Sequence, residues 1–226
     1  MIQKITPQID LVESVKTALF EAILAGQILP GEKLSQDVLA KKMGVSRQPV
    51  IQALRILSEQ GILCPYGKKG LTVAAIDKTQ LLKLLAVRSE LDCLAARLAA
   101  QKAETDSFTP EDHDIIDAIN ALIDDSRTLI AADEHLMLVQ NDISFHKLLR
   151  RLSANEFIQS VLEPHLLHHN RLANIMGLDR HNEIWAQHRE IFDAILSGNV
   201  SSADALTKEH INKAESSIGW CREDAN

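Results

Sequence analysis

The sequence predicts a mainly α-helical protein, in which an N-terminal winged helix-turn-helix precedes a C-terminal all-α helical bundle. Three observations indicate this fold class. Two short helical patterns flank a glycine turn, two strand-like runs follow them directly, and the chain after residue 77 shows helical periodicity without a strong strand signal. We therefore expect two domains, residues 1–76 and residues 77–226.

The composition favours a folded protein in a reducing compartment. Of the 226 residues, 46% are hydrophobic and 24% are charged, which suffices for a core and excludes a disordered chain. No apolar run approaches the roughly 18 residues that a membrane-spanning helix needs, and we find no secretory leader. The three cysteines are far apart, which argues against a disulfide scaffold. We therefore expect a cytoplasmic protein without a membrane partner.

Charge is distributed unevenly along the chain. Residues 1–76 carry nine basic and six acidic side chains, whereas the remaining residues carry fifteen basic and twenty-five acidic ones. All nine histidines lie after residue 112. This asymmetry indicates that a mildly basic front domain and an acidic, histidine-rich rear domain have different partners.

The helices of the front domain are bounded by serines and glycines. A first helix is predicted at residues 8–25 from its apolar spacing. Ser35 is a suitable N-cap for a short helix that stops at Gly44. Ser46 then caps a second helix, which Gly61 ends. Two short helices joined by a tight glycine turn are typical of a helix-turn-helix.

Two strand-like runs, residues 62–66 and 71–75, follow these helices and are joined by a turn at 67–70. Such a hairpin is the wing of a winged helix-turn-helix, whose second helix enters the major groove of DNA. The candidates for contacts with base edges are Ser46, Arg47, Gln48 and Gln52. The candidates for contacts with phosphates or the minor groove are Lys68 and Lys69 in the wing and Ser35 with Lys41 or Lys42. The alternative is an ordinary helical hairpin with solvated charges.

The front domain also carries a specific combination of motifs. PGEKL, LAKKMGVSR, a proline two residues after Arg47 and the segment GKKGLTV occur in this order. With them, residues 8–76 closely resemble the DNA-binding domain of GntR-family bacterial transcription regulators. The resemblance implies that Arg47 contacts a base and that the wing lysines reach the groove. The chain departs from the family at Ile51, where an arginine that contacts DNA is common, and at Asp37, where some members have a basic residue. These departures imply either that the operator sequence differs from the one common in the family or that this chain binds DNA more weakly than other members.

The rear domain is predicted to contain only helices. Their approximate ranges are 78–103, 110–130, 133–152, 155–175, 181–197 and 201–217. Asp77 is a suitable cap for the first of these helices. Pro164 is expected to kink or split the 155–175 pattern, because proline removes a backbone donor and obstructs the preceding turn.

Four polar residues of the rear domain form a candidate metal site. Asp142 and His146 are four residues apart, so both side chains lie on one face of one helix. His188 and His210 lie about nine residues on either side of the turn at 197–201, so an antiparallel helix pair brings them to the same level. Three imidazoles and a carboxylate suit zinc, nickel, cobalt or iron, and the carboxylate also permits manganese. The alternative for each histidine is an ordinary surface or core residue. Three other histidines are expected at the surface: His113, His135 and His181.

The rear domain also resembles a known family. The segments AVRSELDCLAARLAA, NDISFHKLLRRLSANEFI and QHREIFDAILSGNVSSADALTKEHI match patterns of the FCD ligand-binding domain, which the FadR subgroup of GntR regulators carries. The resemblance covers about residues 77–217. It implies a metal site made by Asp142, His146, His188 and His210, with zinc or nickel as the first expectation.

The same resemblance implies a carboxylate effector. In FCD domains such a ligand is commonly held by the metal and by an arginine, which corresponds to Arg88 here. The alternative for Arg88 is an ion pair with Glu90, Asp92 or another acid. Asn170 and Arg171 are further candidates for polar contacts with the effector. Gln187 stands where an acid often precedes the metal-binding histidine, which alters that histidine's expected partner.

Together these features predict a homodimeric, ligand-responsive transcription regulator and not an enzyme. Two winged helices would bind the half-sites of a near-palindromic DNA operator. A small carboxylate effector in the rear domain would change operator affinity, and release of a repressor is the commoner direction in the family. Two alternatives remain: a metal-dependent hydrolase that uses the Asp/His cluster, and a regulator whose metal is purely structural.

Overall fold

A computed structural model of the chain describes residues 11–67, 70–75, 78–165 and 180–218. These residues are mainly helical, with an N-terminal helix-turn-helix and a C-terminal helical domain, which confirms the predicted fold class. The chain divides into two compact units, residues 1–76 and residues 77–226. In the described part of the chain, no helix is both long and apolar enough to cross a membrane.

The described residues of the first unit form three helices followed by a hairpin. In chain order they are α1 (Leu11–Leu24), α2 (Gln36–Met43), α3 (Arg47–Glu59), β1 (Leu63–Tyr66) and β2 (Gly70–Val73). The strands are antiparallel, and Tyr66 pairs with Gly70, so the predicted turn is shorter than expected. The N–H of Leu34 donates to the carbonyl of Leu71 over 2.8 Å, which ties the segment before α2 to the wing.

The turn between α2 and α3 depends on Gly44. Its φ of 65° lies in the left-handed region, where a Cβ causes strain, and its N–H donates back to the last turn of α2. Ser35 and Ser46 occupy the N-cap positions of α2 and α3 with extended backbone. Contrary to the prediction, neither serine side chain makes a capping hydrogen bond within the described residues.

The core of the first unit forms where α3 packs against α1. Val50, Ala53, Leu54 and Leu57 recur every three or four residues and are buried on one face of α3. Leu19 of α1 is buried against the same core. The opposite face of α3 is therefore left for polar side chains.

The described residues of the second unit are all helical or in connecting turns. The helices are α4 (Lys78–Glu104), α5 (Pro110–Ala131), α6 (His135–Leu152), α7 (Glu156–Leu162), α8 (His181–Leu196) and α9 (Val200–Ile218), with a 3₁₀ turn at Glu163–His165 after α7. α7 ends two residues before Pro164, as the proline predicts. The rest of the predicted 155–175 helix and the predicted cap Asp77 lie outside the described residues.

Local sequence signals define the ends of these helices. Thr109 and Asp112 form a reciprocal capping box at the start of α5, with Pro110 as its first residue. Gly198 turns the chain between α8 and α9 with φ of 69°. A Cβ at Gly198 would lie 2.9 Å from the Cα of Glu104, so the turn must approach α4 without a side chain. This short turn folds α9 back along α8.

Helix α4 contacts α6, α7, α8 and α9. Its buried face carries small residues, which let the neighbouring helices approach closely: Ala95, Ala96, Ala99 and Ala100. Phe145 of α6 and Phe192 and Ile195 of α8 belong to the same buried cluster as these alanines. The polar residues of the candidate metal site lie within this packed arrangement.

Candidate functional site

The exposed face of α3 and its N-cap carry the residues that the sequence predicts for base contacts. Ser46, Arg47, Gln48 and Gln52 are all exposed, whereas Ile51 is half-buried. A polar face on a helix whose other face packs in the core can enter a major groove. Ile51 places an apolar side chain beside this surface.

Arg47 is paired with Asp37 of the preceding helix. The Nε atom of Arg47 lies 2.8 Å from Oδ1 of Asp37, and the two side chains are 63% and 68% exposed. Because an ion pair so exposed to water contributes about 0–1 kcal/mol, a DNA phosphate or base edge can replace Asp37 as the partner of Arg47. Asp37 is therefore an internal competitor for the main candidate base contact.

The residues predicted to contact the DNA backbone differ in their exposure to solvent. Ser35 is half-buried at the start of α2, and Lys41 and Lys42 are exposed in its last turn. Lys68 and Lys69 lie outside the described residues.

Three histidines from three helices meet inside the second unit. His146 of α6, His188 of α8 and His210 of α9 are buried, and one ligand nitrogen from each lies within 4.8 Å of the others. In a tetrahedral zinc site two bound nitrogens lie about 3.4 Å apart, so the side chains would move inward by roughly 1 Å to share an ion. Both ring nitrogens of His188 are buried without a hydrogen-bond partner among the described residues. These features fit a metal site.

Asp142 borders the same cluster. Its Oδ1 lies 3.4 Å from Nε2 of His188 and 3.9 Å from Nε2 of His146. Burial raises the pKa of Asp142 to about 6, so the carboxylate is mostly ionised at neutral pH. The structure thus brings all four predicted ligands together.

The histidines of the cluster are neutral at physiological pH. Burial lowers the pKa of His146 and His188 well below the ordinary value, and it lowers the pKa of His210 to about 3. Neutral imidazole keeps a lone pair for a metal ion, whereas imidazolium does not.

Gln187 determines which nitrogen of His210 faces the cluster. The amide nitrogen of Gln187 donates to the Glu183 carboxylate over 2.9 Å, which orients the amide because a carboxylate only accepts. The amide oxygen then accepts from Nδ1 of His210, also over 2.9 Å. Nδ1 therefore carries the proton, and Nε2 of His210 keeps its lone pair for a ligand role.

Arg88 lies in a buried ion-pair group that the sequence did not predict as a unit. Nε of Arg88 donates to Asp92 over 2.9 Å, and Arg150 of α6 donates to the same carboxylate over 2.6 and 3.1 Å. Burial opposes ionisation of Asp92, but the guanidinium groups of Arg150 and Arg88 together lower its pKa. One carboxylate therefore faces two buried cations, and the Arg88–Asp92 pair left open by the sequence is present.

A small cavity adjoins the cluster. Its volume is about 40 Å³, and Arg88, Asp142, Trp185 and His210 are among its lining residues. Nη2 of Arg88 and Nε1 of Trp185 are buried donors without a hydrogen-bond partner among the described residues. A ligand that supplies acceptor oxygens would satisfy both donors. Trp185 gave no sequence signal, since a tryptophan on an amphipathic helix is ordinarily a core residue.

Two of the three histidines predicted at the surface, His135 and His181, are not fully exposed. His181, predicted at the surface, is buried, and its Nε2 lies 2.8 Å from Nδ1 of the half-buried His135. The two rings join the first turns of α6 and α8, a contact between helices that sequence spacing does not reveal. His113 is exposed as predicted, whereas Asn170 and Arg171 lie outside the described residues.

Comparison with protein families gives matches in both units. The FCD domain model matches residues 83–213, and the model for bacterial regulatory proteins of the gntR family matches residues 11–73. The chain belongs to the GntR family. It is a DNA-binding transcription regulator with an FCD domain and not an enzyme, which decides against the hydrolase alternative.

Individual relatives of this GntR regulator agree with the assignment. The uncharacterized HTH-type transcriptional regulator YdhC of Bacillus subtilis (strain 168) is 27% identical over 196 residues, which cover 86% of this chain and 84% of that protein. The structure of E. coli McbR/YncC matches with a TM-score of 0.79 at 18% identity, over 94% of this chain and 99% of that chain. A putative GntR regulator from Rhodococcus sp. RHA1 matches with a TM-score of 0.74 at 23% identity and the same coverage. At these identities the two structures show the fold alone.

Proposed function

We propose that this GntR regulator is a homodimeric repressor whose affinity for a near-palindromic operator is controlled by a small carboxylate effector bound beside a metal ion. One observation carries the proposal. The cavity is lined by Asp142 and His210 together with Arg88 and Trp185, whose Nη2 and Nε1 atoms are buried donors that lack partners among the described residues. A metal ion and unpaired hydrogen-bond donors at the same cavity would together favour an anionic ligand.

The metal ligands proposed are Asp142, His146, His188 and His210. Zinc or nickel is the first expectation, and manganese, cobalt and iron are further candidates because the donors are three imidazoles and one carboxylate. A bound divalent ion would supply a Lewis-acid position for a carboxylate oxygen. The protein's part is to keep the imidazoles neutral by burial and to orient His210 through Gln187.

The effector is proposed to be small. One water molecule needs roughly 10–15 Å³ of cavity volume. A cavity of about 40 Å³ therefore admits a compact carboxylate and not a carboxylate with a long aliphatic chain. Its carboxylate would accept hydrogen bonds from Arg88 and Trp185. Asn170 and Arg171 stay predictions as additional effector contacts.

The DNA contacts proposed are Arg47 and Gln48 on base edges, supported by Ser46 and Gln52, with Ser35, Lys68 and Lys69 on the backbone or minor groove. A two-fold symmetric dimer presents two such surfaces to a palindromic site, in the cytoplasm where bacterial operators lie. An effector that favours one arrangement by about 1–3 kcal/mol would change operator affinity by about 5–150-fold.

Metal content is the first test. Elemental analysis of the purified chain is expected to find a divalent transition metal, and His188→Ala is expected to lower its content because one buried ligand is removed. His113→Ala, an exposed histidine of the same unit, is the matched control and should leave the metal content unchanged. Equal metal content in wild type and His188→Ala would contradict the four-ligand site.

Effector control is the second test. An operator selected from random duplexes is titrated with protein in the presence of acetate, lactate, malonate or citrate. At least one anion is expected to weaken operator binding within the 5–150-fold range given above. Arg88→Gln and Trp185→Phe should both reduce the effect. Arg97→Gln, which also removes an ion-paired arginine from α4 but lies half-exposed beside Asp204, should retain it. If metal is bound and none of these anions changes operator affinity, the metal is structural and the effector proposal fails.

A further inference from the structure

The segment before α2, which contains the PGEKL motif, runs along the wing of the first unit. The N–H of Leu34 donates to the carbonyl of Leu71 over 2.8 Å, and a second bridge joins Pro30 to Val73. Because β1 already pairs with one edge of β2, residues 30–34 lie along the other edge. The motif therefore does more than turn the chain into α2.

Lys33 of this segment lies against the tip of the wing. A Cβ placed on Gly70 would lie 3.3 Å from Cε and 3.4 Å from Cγ of Lys33, so the aliphatic stem of Lys33 fills the space that a side chain at Gly70 would occupy. Gly70 is the first residue of β2 and pairs with Tyr66, the last residue of β1. The stem is therefore held at the turn end of the wing, while the ammonium group extends into water, as is usual for lysine.

The ammonium group of Lys33 is available for an external partner. Its side chain is exposed and makes no ion pair within the described residues. The adjacent acid, Glu32, accepts a hydrogen bond from the N–H of Leu29 over 3.1 Å, which holds its carboxylate in the preceding turn. Three other basic side chains of this unit are instead paired with acids: Lys16 with Glu13, Arg47 with Asp37 and Arg55 with Glu59.

This position suits the DNA backbone better than a base. An ammonium group is a flexible point charge that binds phosphate without a fixed geometry. Base edges are read mainly from the recognition helix, which is α3 here, whereas lysines elsewhere on the surface contact phosphates and orient the protein on the duplex.

We propose that Lys33 binds a phosphate of the operator backbone, as a DNA contact in addition to those predicted from the sequence. Gly70 contributes by leaving room for the lysine stem beside the wing. The proposal extends the DNA surface proposed for α3 and the wing, and it is independent of the metal and the effector.

The test compares Lys33→Met and Lys33→Arg with wild type, using the full chain, the selected operator and a random duplex. Methionine keeps an unbranched stem over Gly70 but removes the charge. Measured by fluorescence anisotropy between about 50 and 200 mM salt, Lys33→Met is expected to weaken binding to both duplexes by the same factor, about 3- to 10-fold near 0.1 M. The slope of log affinity against log salt concentration should become shallower by about one. Lys33→Arg, which keeps the charge, should bind within about twofold of wild type.

Lys16→Met is the matched control, because it removes one positive charge from α1, which packs against the buried face of α3 and not its polar face. It should leave the salt slope unchanged. The base preference of Arg47→Ala, measured on the same duplexes, tests the proposed contacts of α3 separately, so that failure of one proposal is distinguished from failure of the other.

Three results would overturn the phosphate contact. Lys33→Met keeps the wild-type salt slope, Lys33→Arg binds as weakly as Lys33→Met, or Lys16→Met lowers the slope equally. A loss of affinity for the operator but not for random DNA would also contradict it, because Lys33 would then read a base.

Discussion

Each unit of this regulator contains an arginine–aspartate contact, but the two contacts lie in different surroundings. In the first unit, Arg47 and Asp37 approach to 2.8 Å with most of both side chains in water. In the second unit, Arg88 and Arg150 approach Asp92 to 2.9 and 2.6 Å but are 3% and 1% exposed. Water weakens the first contact, so another anionic partner can displace it at little cost, whereas the second cannot be broken without leaving buried charge unpaired. Burial, and not distance, distinguishes an exchangeable pair from a structural one.

The largest difference is expected when each aspartate is neutralised. Asp92→Asn should lower the free energy of unfolding by about 3–5 kcal/mol, because two buried guanidinium groups lose their counter-charge. Asp37→Asn, which neutralises the exposed aspartate, should change it by no more than about 0.5 kcal/mol. Urea unfolding of both variants measures the two effects. Similar values for both would contradict the comparison.

A smaller effect, on operator binding, is expected when the side chain of Arg47 is removed. Arg47→Ala should weaken operator binding by about 1–3 kcal/mol and relax base preference at one position, if Arg47 reads a base edge. Fluorescence anisotropy with the selected operator and its single-base variants measures both quantities. Arg55→Ala is the control, since Arg55 is exposed on the same helix and paired with Glu59. Unchanged base preference in Arg47→Ala would remove the main proposed contact.

The smallest effect, also on DNA binding, is expected when Arg47 loses its ion-pair partner Asp37. Asp37→Asn should strengthen DNA binding by at most about 1 kcal/mol, because it removes a weak internal competitor and one negative charge near the phosphates. The gain should shrink as salt increases. Binding to operator and to random DNA at several salt concentrations tests this. Weaker operator binding by Asp37→Asn would instead indicate that Asp37 orients Arg47 for the base.

Much of the fold could be predicted from the sequence because the residues that start and end its helices act locally. Gly44, the Thr109-Pro110 pair and Pro164 each act on backbone within a few residues: α2 ends before Gly44, α5 begins at Pro110, and α7 ends two residues before Pro164. The serine caps are the exception. Ser35 and Ser46 mark the right positions, but sequence does not decide the direction of a side chain whose hydroxyl has several possible partners.

The candidate site was accessible only where local geometry determines it. His188 and His210 lie level because a short turn joins their helices, and Asp142 lies near His146 because they are one helical turn apart. Arg150 reaches Asp92 across 58 residues, a contact that no spacing rule predicts. The role proposed for Trp185 depends on which buried atoms remain unpaired after packing, and sequence alone does not show this.

The uncharged amide of Gln187 has an electrostatic consequence for the proposed metal centre. Three uncharged imidazoles and the single carboxylate of Asp142 would offset only one of the two positive charges of a divalent ion. The amide that supports His210 adds no negative charge, whereas a carboxylate there would cancel more of the ion's field. One uncompensated positive charge on such an ion, next to the guanidinium of Arg88, would attract an anionic ligand to this centre more strongly than a fully neutralised ion would.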